Sequence, residues 1–319
     1  MSSVITAVSA VFGEAAPVVS RRELKALMKR SNKPGLIHLS FWVLLLSLTS
    51  CVVYWSVSTI WLLLPAMFIH GVVMVHNFAL LHECSHYTPF HSRRLCNILA
   101  GICGFLLFIP PRFFRYEHCD HHTFTNQQGH DPEILLVPEG MRQYVIFLSG
   151  IPYWYGQISG IVRRTFGSLT LAEKRFIPAV ERAAIVSESR LMMMGYAMVI
   201  VVSSITSWGL VLLFWWLPML LGEPVMRYIR MTEHVGRPTI SDRRVNTRTL
   251  IVARIWQFLA WNMNFHAEHH YASSVPFHAL PRLHEKLDGH VFVEAGGYRG
   301  AHRDIRQSIS VNNLSGTID

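Results

Sequence analysis

Basic residues are missing from two long stretches of this chain. Between Pro34 and Ser92 there is neither Lys nor Arg, and the one acid is Glu83; between Arg190 and Arg227 the one charged residue is Glu223. Both stretches exceed the roughly 20 residues that cross about 30 Å of hydrocarbon. With 51% of its 319 residues hydrophobic and only 15% charged, the chain is excluded from the ordinary water-soluble classes and reads as a multi-pass membrane protein.

Cysteine is also scarce. The five residues Cys51, Cys84, Cys96, Cys103 and Cys119 are odd in number and form no C-x-x-C pair. That argues against a disulfide framework, a zinc ribbon or a cysteine-held iron–sulfur cluster, and fits a reducing compartment. Residues 1–20 lack a basic leader region and contain Glu14, which makes a poor signal peptide. The net charge of +9 does not imply nucleic acid, because the basic residues flank apolar runs and form no block interleaved with aromatics. Instead RRELKALMKRSNK at 21–33 reads as a basic helix on the cytoplasmic membrane surface, its cations near anionic lipid, with the N-terminus cytoplasmic.

The apolar runs define the organisation. Residues 36–81 hold two helices with a turn near Ser56 to Thr59, and residues 183–226 hold two more, interrupted at 203–209. The stretch 95–111 ends in Pro110 and Pro111 and is too short to span, so a re-entrant or buried helix is expected there. A further helix is expected at 247–270. The predicted fold class is an all-α integral membrane protein of about four transmembrane helices in two hairpins, carrying a cytoplasmic histidine-rich helical cap. Its divisions are an N-terminal arm with the basic interfacial helix at 1–35, a membrane domain at 36–305 and a disordered tail at 306–319.

Against this apolar background stand three histidine clusters: HECSH at 82–86, HCDHH at 118–122 and HAEHH at 266–270. Helical residues three and four apart share a face. His82 and His86 therefore point together, as do His118, His121 and His122, and His266, His269 and His270. Eight imidazoles exceed the needs of one ion and suit two; nitrogen ligands fit Zn, Fe, Cu or Ni, so ligand type does not name the metal. Glu83, Asp120 and Glu268 lie beside histidines but off the shared faces, which suits carboxylates that fix imidazole tautomers. Cys84 and Cys119 also lie off those faces. HECSH matches the H-E-x-x-H zinc-protease pattern, but a protease leaves the other two clusters unexplained. A metal transporter would place its ligands at mid-membrane, whereas these clusters lie at or beyond helix ends.

Taken together, HECSH, RYEHCDHHTFTN followed by DPE at 131–133, and NMNFHAEHHYASSVPFHALPRLHE resemble the three histidine boxes of the membrane fatty acid desaturase and hydroxylase superfamily. The resemblance implies a centre of two non-haem iron ions that activates O2 with two electrons and acts on a lipid or acyl substrate. It also implies a further ligand near His234, giving the set His82, His86, His118, His121, His122, His234, His266, His269 and His270. Where relatives similar to stearoyl desaturases carry an Asn four residues before that histidine, this chain has Arg230. His278 and His284 are offset from the third box and are expected in supporting roles, and His70 and His76 as interior polar groups.

The chain shows no G-x-G-x-x-G loop and no H-P-G-G of a fused cytochrome-b5-like domain, so an external ferredoxin, rubredoxin or cytochrome-type donor is implied. Arg93, Arg94, Arg112, Arg115, Arg163 and Arg164 form a candidate docking face. The expected activity is a desaturase of the bacterial inner membrane, with a substrate slot near Trp208, Trp215, Trp216, Trp256 and Trp261. The alternative is a hydroxylase or ketolase of an alkane, carotenoid, acyl lipid or small amphiphile on the same scaffold.

Sidedness tests this reading, because three clusters cannot share one site across a bilayer. Single cysteines at Ser92→Cys, Gln127→Cys and Ser273→Cys are expected to label in sealed vesicles from the side that carries the N-terminal arm. Labelling at 127 and 273 from opposite faces would break the argument.

Overall fold

The computed structural model describes residues 18–315, with side-chain surroundings for 18–309. Four helices are long and apolar enough to cross a membrane: Asn32–Ser56, Ile60–Ser85, Ala179–Ile205 and Gly209–His234. Two bent pairs raise that number to six if each pair is one span: Arg93–Leu107 with Pro111–Phe124, bent by 96°, and Met141–Leu148 with Ile151–Thr165, bent by 57°. The first bend falls where Pro110 and Pro111 end the short apolar run.

In chain order, α1 (Arg21–Leu27) starts on a capping box in which Ser20 and Glu23 satisfy each other's backbone N–H groups. The first span is α2 (Asn32–Ser56). The second is built from α3 (Ile60–Val75) and α4 (Asn77–Ser85), joined at His76, whose Nδ1–H donates to the Val72 carbonyl at 2.7 Å. Then come α5 (Arg93–Leu107), α6 (Pro111–Phe124), α7 (Met141–Leu148), α8 (Ile151–Thr165), α9 (Leu171–Phe176) and α10 (Arg182–Ile205). A π-helical turn at Leu212–Trp216 leads into α11 (Leu217–His234). Three short helices and a longer one complete the described residues: α12 (Arg254–Leu259), α13 (His266–Tyr271), α14 (Leu280–Lys286) and α15 (Gly297–Ser315). Trp55 and Trp61, at either end of the turn between the first two spans, are each 81% exposed, as aromatic anchors at a membrane–water boundary would be.

The most extensive helix pairing joins α3 to α11. It turns on two glycines. A Cβ on Gly71 would lie 1.9 Å from the Pro218 carbonyl oxygen, and one on Gly222 would lie 2.3 Å from the Gly71 carbonyl carbon. Small residues let membrane helices approach backbone to backbone, where lipid offers no hydrophobic drive to association.

Three expectations need correction here. The helix expected at 247–270 is broken. Thr249 and Leu250 form a parallel two-residue ladder with Val293 and Glu294, and Trp261 and Asn262 take positive φ of 50° and 58° before the chain re-enters a helix at His266. The tail expected to be disordered from 306 is instead helical to Ser315, because Ile305 and Ile309 bury against Met231 and Val235; residues 316–319 lie outside the described residues. Finally, α1 is not only a surface helix. Val19 and Leu27 bury against Ala260, Met263 and Leu280, and Lys286 pairs with Glu23 at 2.6 Å, while Arg21, Arg22 and Lys25 stay exposed. Residues 1–17 of the expected arm lie outside the described residues.

The glycine contact yields a paired test. Gly71→Ala is expected to destabilise the protein by about 1–3 kcal/mol through overpacking against rigid backbone. Gly101→Ala, where nothing lies within 4 Å of the added carbon, is expected to be neutral or to stabilise by up to about 1 kcal/mol. Denaturant titration of both variants in one detergent checks the contrast.

Candidate metal centre

All nine sequence-predicted histidines converge, and they do so from four elements. His82 lies in α4 and His86 caps its end; α6 supplies His118, His121 and His122; α11 ends in His234; α13 supplies His266, His269 and His270. They divide into two groups. One is His82, His86, His118, His122 and His269, and the other is His121, His234, His266 and His270, with the offered ligand atoms of each group within 4.8 Å of one another. The groups adjoin, since the rings of His122 and His270 stack at 4.2 Å. Their third neighbour is Glu133, which lies with His118 and His121 in a further potential ligand cluster.

The carboxylates that orient these rings are not the ones beside them in sequence. On a helix the next residue points about 100° away, so it cannot reach back to its neighbour's ring. Glu83 instead accepts from Thr88 Oγ1 at 2.8 Å and from the Phe277 backbone N–H at 3.1 Å. Asp120 pairs with Arg175 at 2.5 Å, and Glu268 takes His284 Nδ1–H at 2.6 Å and the Thr249 hydroxyl. The orienting acids come from the DPE run after the second box: His121 Nδ1–H donates to Asp131 at 2.8 Å and His118 Nδ1–H to Glu133 at 2.7 Å. Asp131 is fixed in turn by the backbone N–H groups of Asn126 and Glu133. Arg230, in the place expected of an Asn, spans Glu133 and Glu233, and Glu233 comes within 3.7 Å of His266 Nε2. The signal for Asp131 and Glu133 was present in the sequence as an acidic run just past a histidine box, but only the fold returns that loop to the rings.

These hydrogen bonds permit a test of whether the residues fit metal. A ring that donates its Nδ1–H keeps a bare lone pair on Nε2. For His121 that Nε2 is buried without a partner, as are both ring nitrogens of His82, Nε2 of His86 and Nδ1 of His122, His266 and His269. Elsewhere Nε2 faces Nε2: His118 to His122 and His122 to His269 at 3.0 Å, His234 to His266 at 3.0 Å and His266 to His270 at 3.2 Å. Each neutral imidazole carries one lone pair, and so many converging without donors would be strongly unfavourable in a dry interior unless cations accepted them. Burial, and after it the neighbouring imidazoles, hold His266, His269 and His270 well below the usual histidine range. Neutral imidazole is the form that ligates metal.

Other candidates lie apart. Cys84 is buried and Cys119 exposed, and neither joins a ligand group. His284 supports Glu268, while His278 stands outside both groups. His70 bonds Thr49 Oγ1 at 2.8 Å between spans, so it and His76 act as interior polar groups. In the expected docking face, Arg163 and Arg164 are consumed by Glu173 at 2.5 and 2.7 Å, and Arg164 is buried over the Phe113 ring. Among the tryptophans expected near a slot, Trp256 lines an apolar cavity of about 670 Å³ with Leu45, Phe68, Val72 and Ile229. Trp215 and Trp261 are instead packed into the core.

The family model for fatty acid desaturase matches residues 30–300. The chain is 24% identical over 249 residues to an omega-6 fatty acid desaturase, chloroplastic, of Arabidopsis thaliana, a match covering 71% of this chain and 54% of the relative. It is 24% identical over 250 residues to an sn-1 oleoyl-lipid 12-desaturase of Anabaena variabilis, covering 71% of this chain and 69% of the relative. The chain thus spans about half the length of the first of these and about two thirds of the second.

Loss of an orienting carboxylate is expected to weaken metal retention. Asp131→Ala and Glu133→Ala should each lower metal affinity about 10- to 100-fold, read by chelator competition on purified protein. Asp120→Ala, whose partner is Arg175, should leave it unchanged.

Proposed function

The chain belongs to the fatty acid desaturase family, and on that premise we propose that it is an O2-dependent membrane desaturase that introduces a double bond into a fatty acyl chain or similar lipid. The observation that carries the reading is the pair of histidine groups, five and four imidazoles, each with its offered ligand atoms within 4.8 Å of one another. Two non-haem irons, held by His82, His86, His118, His122 and His269 and by His121, His234, His266 and His270, would supply O2 activation with two electrons from an external donor.

The chain's own residues carry the rest. Asp131 and Glu133 hold protons on the Nδ1 atoms of His121 and His118, which fixes which nitrogen faces inward. Arg230 spans Glu133 and Glu233 and balances the acids behind the site. Phe78 and Phe114 pack against His82 and His118 and keep bulk water from that side. The apolar cavity between the first two spans, α11 and α12 falls within the usual range for ligand pockets and suits an alkyl chain. Positioning one C–H bond against the site supplies much of the selectivity.

The spans are proposed to form two hairpins, with the N-terminus and histidine cap on the cytoplasmic face of a bacterial inner membrane. Each histidine group then sits at a helix end on one side, and the apolar helices Asn32–Ser56 and Ala179–Ile205 face lipid.

Desaturation and hydroxylation both begin with removal of one hydrogen, and they part on whether a second hydrogen leaves the neighbouring carbon or oxygen is inserted. Iron-loaded protein supplied with a reductant and saturated acyl lipid under isotopically labelled O2 is expected to give a product lighter by two hydrogens and free of label. A labelled alcohol or ketone as main product would replace the desaturase reading with that of a hydroxylase or ketolase.

A further inference from the structure

Of the nine histidines, eight are buried and His86 alone is intermediate in exposure, although its Nε2 is buried. The next residue, Tyr87, adopts φ 57°, a conformation uncommon for a bulky side chain, and is itself half-buried; after the buried Thr88 and Phe90 the chain reaches the surface at His91. Its ring lies under two guanidinium groups, 4.2 Å from Arg115 and 5.3 Å from Arg93. Arg115 is held in place by the Ser85 carbonyl at 3.2 Å and by Asn97 Oδ1 at 3.1 Å. Tyr87 and Arg115 also line, with Arg112, Tyr116, Glu181 and Glu188, a surface cavity of about 360 Å³.

The charge of Arg93 and Arg94 is not called for by the helix they begin. Arg93 and Arg94 occupy the first turn of α5, which contains no acid, although a helix dipole favours acids there. Both are exposed and, among the described residues, form no ion pair. Arg112 is neutralised by Glu181 at 3.1 Å and Glu188 accepts from the backbone N–H groups of Arg112 and Phe113, so the unpaired positive charge here is that of Arg93 and Arg94.

The geometry points to the His86–Arg94 segment as the port of electron entry, at which a small acidic one-electron carrier protein docks on Arg93, Arg94 and Arg115 and delivers electrons past Tyr87 to His86. This deepens the di-iron reading and rests on it. Each docking event oxidises the carrier by one electron and reduces the centre by one. Two such events, with two protons, one O2 and two hydrogens taken from the acyl chain, yield one double bond and two waters. Arg93 and Arg94 supply attraction and steering, and the Tyr87 ring fills the gap between carrier and ligand.

The test uses the full chain in nanodiscs of zwitterionic lipid, with a plant-type ferredoxin as acidic probe and a basic c-type cytochrome of similar size as counter-probe. Ferredoxin binding is expected, weakening with added salt. The double variant Arg93→Glu/Arg94→Glu should weaken it about tenfold or more, with Arg93→Gln/Arg94→Gln intermediate. Arg303→Glu, at an exposed arginine on α15, should leave it unchanged. In iron-loaded protein the double Glu variant should slow reduction by ferredoxin but not by dithionite, and Tyr87→Ala should slow the ferredoxin step without weakening binding. Equal ferredoxin affinity in wild type and the double Glu variant, as expected if these arginines hold only anionic lipid, would overturn the proposal, as would binding of the basic cytochrome. Failure of dithionite to reduce iron-loaded protein would instead sink the di-iron reading, with the binding measurements still deciding the docking site.

Discussion

An imidazole in a dry interior must have something done with each of its nitrogens. This chain packs nine together with too few hydrogen-bond donors to satisfy one another. Two acids in one loop take the outward protons of His118 and His121, and the remaining lone pairs are left facing inward. Much of the surrounding structure follows from keeping that arrangement fixed. Arg230 is buried between the half-buried Glu133 and the buried Glu233, and Arg248 gives its guanidinium to the Thr232 and Val235 carbonyls at the end of the helix that carries His234. Removing any one of these charges would leave its partner buried and uncompensated.

Helical periodicity made the ligand faces legible in advance. Spacing of three and four is a local property, and α6 and α13 obey it whatever surrounds them. The charge-free runs were legible for a similar reason: bilayer thickness sets a length that composition alone can satisfy. Both span turns fall where polar residues interrupt those runs, at Val57 to Thr59 and at Thr206 to Trp208.

What escaped sequence reading depends on distant parts of the chain. Asp131 and Glu133 are ten and fifteen positions from the rings they serve, so nothing in their immediate context marks the role. Glu83, Asp120 and Glu268 had the better local claim and were drawn away by Thr88, Arg175 and His284. The break before the third box has the same origin. Pairing of Thr249 and Leu250 with Val293 and Glu294 pulls the backbone out of a helix that its composition would have tolerated. Arg163 and Arg164 looked like surface charge until Glu173, in a six-residue helix with its own capping box, claimed both.

The glycine crossing of α3 and α11 reaches beyond packing. From Gly71 to His82 and from Gly222 to His234 the two helices extend roughly 17 Å beyond their point of contact, and they end in opposite halves of the histidine cluster. The crossing is therefore a fulcrum with a ligand at the tip of each lever. A rotation of a few degrees there displaces the tips by about an ångström, so the separation of the two halves of the cluster is set by two backbones in contact far from any imidazole.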